Sequence, residues 1–92
     1  MDKSIHTYNH KAFIALLRSH RRAAGLTQVE LADRLGETQV FVSKCERGER
    51  RIDLVETMEW CRAIGVPFAS FASQLDDMLQ NGPPSLPHKK PA

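Results

Sequence analysis

Apolar residues along the chain recur at spacings of three and four, and no stretch alternates strictly as a half-buried strand would. Phe13, Leu16 and Leu17 make a first stripe, continued by Ala24, with Gly25 as a natural stop. Asn9 is a candidate cap, so a first helix is expected to follow it, behind a flexible segment over residues 1–8. Thr27 followed by Glu30 spells a capping box: the hydroxyl accepts from a first-turn N–H and the carboxylate reaches back to the cap N–H. A second helix then runs over residues 28–35, with Leu31, Ala32 and Leu35 on one face and Gly36 at its end. Thr38 caps a third helix over about residues 39–47, whose inward stripe is Phe41 or Val42 with Cys45, and Gly48 stops it. Asp53 and Glu56 repeat the capping box for a fourth helix over residues 54–64, with Leu54, Met58, Cys61 and Trp60 inward and Gly65 as its close. Pro67 suits the first turn of a fifth helix, where its missing N–H costs nothing; Phe68, Phe71, Leu75 and Met78 or Leu79 give that helix an apolar face. After Asn81 the tail GPPSLPHKKPA is Pro-rich without a core pattern and reads as disordered. The expected class is all-α: one bundle of five short helices over residues 9–80, with a disordered tail over 81–92.

Length agrees with one domain, since 92 residues exceed the size at which a single core becomes marginal. No apolar run approaches the ~20 residues a bilayer requires, and MDKSIHTYNH lacks the apolar segment of a secretory signal, so a cytoplasmic protein is expected. Cys45 and Cys61 match no CxxC spacing and fall within helical apolar patterns, where a thiol acts as a small hydrophobe. Charge changes the picture more. Residues 1–51 hold ten Lys/Arg against six Asp/Glu, whereas residues 52–82 hold Arg62 alone against five acidic side chains. The first half is suited to a polyanion, the second to solvent or protein.

The chemistry of an enzyme is not apparent. His6 and His10 are four apart but have no third ligand at helical spacing, so no metal is expected. Asp76 and Asp77 are adjacent and would diverge by about 100 degrees on a helix, poor geometry for a paired acid and base. No Gly-rich phosphate loop, serine elbow or Cys/His nucleophile pattern occurs, and no cofactor is expected. What remains is the tight link between the second and third helices over about residues 27–47, with the latter exposing amide, hydroxyl and basic groups near its start. Such a pair describes a helix-turn-helix that lays its second helix in the DNA major groove, which is about 12 Å wide.

The run LTQVELADRLG followed by TQVFVSKCERGER resembles the Cro/C1-type, or XRE-family, helix-turn-helix of phage repressors and small bacterial regulators, over about residues 10–75. The resemblance implies a phage-repressor-type bundle, and it assigns roles position by position. Gln39, Val40, Ser43 and Lys44 match base-reading positions: a glutamine amide pairs with adenine N6 and N7, and the valine suits a thymine methyl. Gln28, Thr38, Arg47, Arg50 and Arg51 match phosphate-contacting positions, and Gln28 also matches a brace for the recognition helix. Arg21 and Glu46 match a structural ion pair; Arg18 and Arg22 are expected to face solvent, with a phosphate contact as the alternative. Glu37 departs from the small or hydroxyl residue usual at its position and is expected to point away from phosphate.

Members of this family act as repressors, activators, restriction-modification controllers or antitoxins. The resemblance therefore implies a homodimeric repressor on a pseudo-palindromic double-stranded operator; the apolar residues of the fifth helix, Phe68, Phe71 and Leu75, are the expected dimer contacts, the alternative being that they belong wholly to the intramolecular core. The alternative is an antitoxin or other protein-interaction module, with a protein as main partner and operator binding secondary.

Overall fold

In the computed structural model, which describes residues 4–81, the backbone turns where the sequence places its stops and caps. Five helices follow one another: α1 Ser4–Ala23, α2 Gln28–Leu35, α3 Gln39–Glu46, α4 Leu54–Ile64 and α5 Phe68–Asn81. No strand occurs among the described residues. Both capping boxes are formed. Thr27 accepts from the Glu30 N–H at 3.1 Å while Glu30 accepts from the Thr27 N–H at 2.8 Å. Asp53 and Glu56 exchange the equivalent bonds at 2.8 and 3.0 Å. The turn after α2 is tight: Gly36 takes the left-handed conformation (φ 70°) and the Glu37 N–H donates to the Ala32 carbonyl at 2.9 Å. A side chain with a Cβ would be strained at that φ although nothing crowds the site, so backbone conformation alone selects glycine.

Helix faces meet in a single core. Leu17 of α1, Leu31 of α2, Val42 and Cys45 of α3, Trp60 and Cys61 of α4 and Phe71 of α5 are fully buried there. Phe13 and Phe71 meet edge to face with ring centroids 6.0 Å apart, tying the first helix to the last. His20 and Gln74 add a side-chain hydrogen bond between the same two helices. Neither cysteine reaches solvent. Burial pushes the Cys45 thiol up to about 11 against the opposing pull of Arg50, and burial also raises Cys61. Both thiols thus behave as packing groups rather than as reactive ones.

Several expectations need correction. α1 begins at Ser4, so Asn9 lies inside the helix rather than at its cap, and residues 4–8 are helical rather than a flexible lead. Ala12 and Ile14 are buried as well as Leu17, so the packed face of α1 is broader than the Phe13–Leu16–Leu17 stripe suggests. Ala24 is exposed in the turn after α1. On α4 the buried stripe is Thr57, Trp60, Cys61 and Ile64. Met58 falls on its flank and is exposed, and Leu54, 66% exposed, lines an uncovered groove beside Phe13, Phe68 and Leu75. The Pro-rich tail over residues 82–92 lies outside the described residues, as do residues 1–3.

The caps carry a measurable share of stability. Thr27→Ala and Asp53→Ala should each lower the unfolding free energy by about 1 kcal/mol in urea titrations. The Thr27 hydrogen bonds hold the Glu30 carboxyl below its ordinary 4.5, and Arg50 followed by the Asp53 backbone does the same for Glu56. A carboxyl lowered in the folded state stabilises fully above its unfolded value and loses that contribution as pH falls through the folded one. Thermal unfolding should therefore be insensitive to these two groups near neutrality and weaken progressively below pH 4.5. The Glu30→Gln/Glu56→Gln variant should show a smaller acid-induced drop.

Candidate nucleic-acid interface

Gly36, Glu37 and Thr38 are all that separates α2 from α3, so the two helices must cross steeply and one must stand proud of the other. The Thr38 hydroxyl accepts from the Phe41 N–H at 3.1 Å and starts α3. Burial then sorts the helix: Val42, Cys45 and Glu46 face inward, whereas Thr38, Gln39, Val40 and Lys44 are exposed and Ser43 is half-buried. Val40 is 56% exposed and Val29 of α2 is 54% exposed, so the outward surface mixes apolar with hydrogen-bonding groups.

Behind that surface lies a row of polar contacts. Arg21 donates to both Glu46 carboxylate oxygens, Nε to Oε2 at 2.6 Å and Nη2 to Oε1 at 2.9 Å, and its Nη1 donates to the Leu26 carbonyl at 2.8 Å. Arg18 donates to the Glu46 main-chain carbonyl at 3.1 Å. The same carboxylate accepts from Gln28 Nε2 at 3.0 Å, and Gln28 Oε1 in turn accepts from Gln39 Nε2 at 2.7 Å. A carboxylate can only accept, so Gln28 must turn its NH2 towards Glu46 and its oxygen towards Gln39. Gln39 is left with one N–H and its oxygen directed elsewhere. The ion pair thus fixes α1 to α3 and also sets which way round two amides lie.

The segment after α3 is braced rather than loose. Arg47 pairs with Glu49 and also donates to the Ser43 hydroxyl. Arg50 lies over the Phe41 ring at 4.9 Å from its centroid and donates to Glu56 and to the Arg51 carbonyl, each at 2.6 Å. Arg51 is exposed and its side chain makes no ion pair or hydrogen bond among the described residues. Gly48 turns the chain with φ 77°.

A family model described as "Helix-turn-helix" matches residues 17–71, more than half of the chain. The chain belongs to the helix-turn-helix family, of the Cro/C1 or XRE type. A solved structure of an XRE-family like protein from Pseudomonas syringae pv. tomato is 49% identical, covers 83% of this chain and 93% of its own, and superposes with a TM-score of 0.78. An uncharacterized HTH-type transcriptional regulator from Methanothermobacter thermautotrophicus is 40% identical over 50 residues, 54% of this chain and 72% of its own length. A further HTH-type transcriptional regulator from Sinorhizobium fredii is 35% identical over 57 residues, 62% of this chain and 74% of its own length. The family consists of DNA-binding regulators of transcription, not of enzymes.

Within this helix-turn-helix protein, Thr38, Gln39, Val40 and Lys44 are exposed on or at the start of α3, Gln28 touches Gln39, Arg47 touches Ser43, and Arg51 is exposed in the segment after α3. Phe71 needs correction as a dimer contact: it is 1% exposed and belongs to the intramolecular core. Phe68 and Leu75 are only half-buried and border the groove with Leu54. Arg18 is corrected too, because its contact with Glu46 removes it from the purely solvent-facing set. The Arg50–Phe41–Glu56 cluster joins α3 to the start of α4 and has no signal in the sequence pattern. The Arg34 donation to the Ala63 carbonyl, which ties α2 to α4, has no such signal.

Glu46→Ala would leave Arg21 charged and unpaired in the core, and it should lower the unfolding free energy by about 3–5 kcal/mol in chemical denaturation. Glu46→Gln keeps the shape but supplies an NH2 that Arg21 and Gln28 cannot accept well, and it should lie between wild type and Glu46→Ala.

Proposed function

We propose that the protein is a sequence-specific regulator, a repressor, that docks α3 in the major groove and binds a pseudo-palindromic operator as a homodimer. The observation that carries the reading is the tethered Gln39: it is exposed at the N-terminal end of α3, yet held by Gln28 against the buried ion pair. A preorganised amide loses little freedom when it pairs with a base edge. Gln39 would read adenine and Val40 a thymine methyl, with Ser43 and Lys44 one turn further along. Thr38, Gln28, Arg47 and Arg51 would hold phosphates and set the register. Arg50, with its guanidinium already committed to Glu56, Phe41 and the Arg51 carbonyl, contributes to the phosphate surface chiefly by holding that turn in shape.

For the dimer, Leu54, Val55 and Met58 are exposed apolar side chains on one helix, beside the groove that Phe68 and Leu75 border. A patch carrying both projecting side chains and a groove is suited to a two-fold contact, in which each copy supplies both parts. Two recognition helices would then sit about 34 Å apart, one turn of the duplex.

Selection of bound sites from random duplex DNA at moderate salt tests the reading, and failure to enrich any motif would overturn it in favour of a protein-interaction module. On the selected site, Gln39→Ala should cost about 1–3 kcal/mol and relax preference at one base pair, while Arg51→Ala should weaken all sequences alike and reduce the salt slope by about one. Equal losses on selected and random duplex for both variants would reject these roles. Val55→Asp should give a monomer in sedimentation that keeps its fold, binds the full pseudo-palindromic site more weakly and keeps its affinity for an isolated half-site.

A further inference from the structure

A second cationic feature lies away from the outward face of α3. Between the middle of α1 and the end of α3 there is an open cleft of about 210 Å³, lined by His10, Lys11, Ile14, Ala15, Arg18, Glu46, Arg47 and Gly48. Its floor is apolar, from Ile14 and Ala15, and its charged groups are Lys11, Arg18, Arg47 and Glu46, whose carboxylate is already taken by Arg21 and Gln28 and lies 3.8 Å from the Arg18 Nε. His10 leans on the Phe13 ring with centroids 6.1 Å apart, and its Cδ2 is 4.0 Å from where a Cβ at Gly48 would stand. The imidazole therefore closes one end of the cleft against the turn that follows α3. Lys11 is exposed, with no ion pair among the described residues. Arg18 uses one nitrogen on the Glu46 carbonyl and keeps 41% of its side chain exposed.

The geometry points to this cleft as a binding site for a backbone phosphate and its sugar, on duplex DNA flanking the stretch read by α3. The apolar floor suits the deoxyribose and the rim suits the phosphate, whose charge Lys11, Arg18 and Arg47 would share with a donor from His10. A duplex is favoured over a small anion because the cleft shares Arg47 and Gly48 with the proposed phosphate surface, so one strand can pass continuously from one to the other. Arg47 must loosen its pair with Glu49, which is exposed on both sides and therefore held weakly. His10, Lys11, Ile14 and Ala15 fall outside the matched residues 17–71, whereas Arg18, Glu46, Arg47 and Gly48 fall within them. The inference rests on the DNA-reading role proposed above.

The test compares wild type, Lys11→Ala and Lys11→Glu on the selected duplex, made once with flanks of several base pairs and once trimmed to the bases that the recognition helices span. Fluorescence anisotropy should show Lys11→Ala binding the flanked duplex 3- to 10-fold more weakly, with a salt slope lower by about one and unchanged base preference. Lys11→Glu should lose more. On the trimmed duplex all three proteins should converge. Thermal unfolding of the variants, expected to match wild type because Lys11 is exposed, separates loss of the contact from loss of fold. Wild-type affinity and slope for both variants on the flanked duplex would overturn the cleft assignment while leaving the DNA-reading role intact; a wild type that selects no motif would overturn both. If tripolyphosphate raises the melting temperature of wild type but not of Lys11→Ala, and DNA affinity is the same for both, the cleft holds a small anion and the duplex assignment is overturned.

Discussion

The buried carboxylate of Glu46 is the group on which most of the arrangement depends. It takes two hydrogen bonds from Arg21 and one from Gln28, while its main-chain carbonyl takes one from Arg18. Three helices thereby meet at one residue. A charge in this position is costly to desolvate, and only near-complete pairing makes it tolerable. Apolar residues in place of both Arg21 and Glu46 would pack at least as well but would orient nothing. The ion pair is better understood as a device for placing α3 and its first side chain than as a source of stability.

Around that point the remaining contacts divide the molecule into a rigid frame and a variable exterior. Capping boxes on α2 and α4 define where each helix starts, and Arg50, stacked on Phe41 and bonded to Glu56, carries the frame across the connection between α3 and α4. Phe71 brings α5 into the same core, so the last helix is an integral wall of the domain and not an appendage. The outward residues of α3 bear little of this load. Val40 and Lys44 can change without disturbing the frame, whereas Gln39 cannot change without altering the surroundings of Gln28.

Much of the fold was legible because its determinants are local. Thr27 with Glu30, Asp53 with Glu56, and Gly36 and Gly65 specify starts and stops through hydrogen bonds that span four residues or fewer, and the helices begin and end there. The start of α1 was less so: Asn9 is a good cap by type, but a cap-forming residue is also tolerated inside a helix, and α1 runs through it from Ser4. Leu54 and Met58 illustrate the same limit in reverse, since apolar periodicity identifies a face without revealing whether another element covers it. At the site, Gln28, Gln39 and the Arg21–Glu46 pair stood out through the family pattern. The contacts of Arg18, Arg34 and Arg50 depend on how separate segments meet, and long arginine side chains satisfy many geometries that a sequence does not distinguish.

The row from Glu46 through Gln28 to Gln39 has a further consequence. Each amide in it has a head and a tail, and the acceptor-only carboxylate at the inner end dictates the order of all of them. An adenine likewise presents its acceptor and donor in an order that reverses when it moves to the opposite strand. In a duplex read by Gln39, an A·T pair and a T·A pair at the same position would therefore not be equivalent. A charge with no access to solvent or DNA would give each half-site its sense of direction, and strand orientation would be encoded in the core before the surface meets a base.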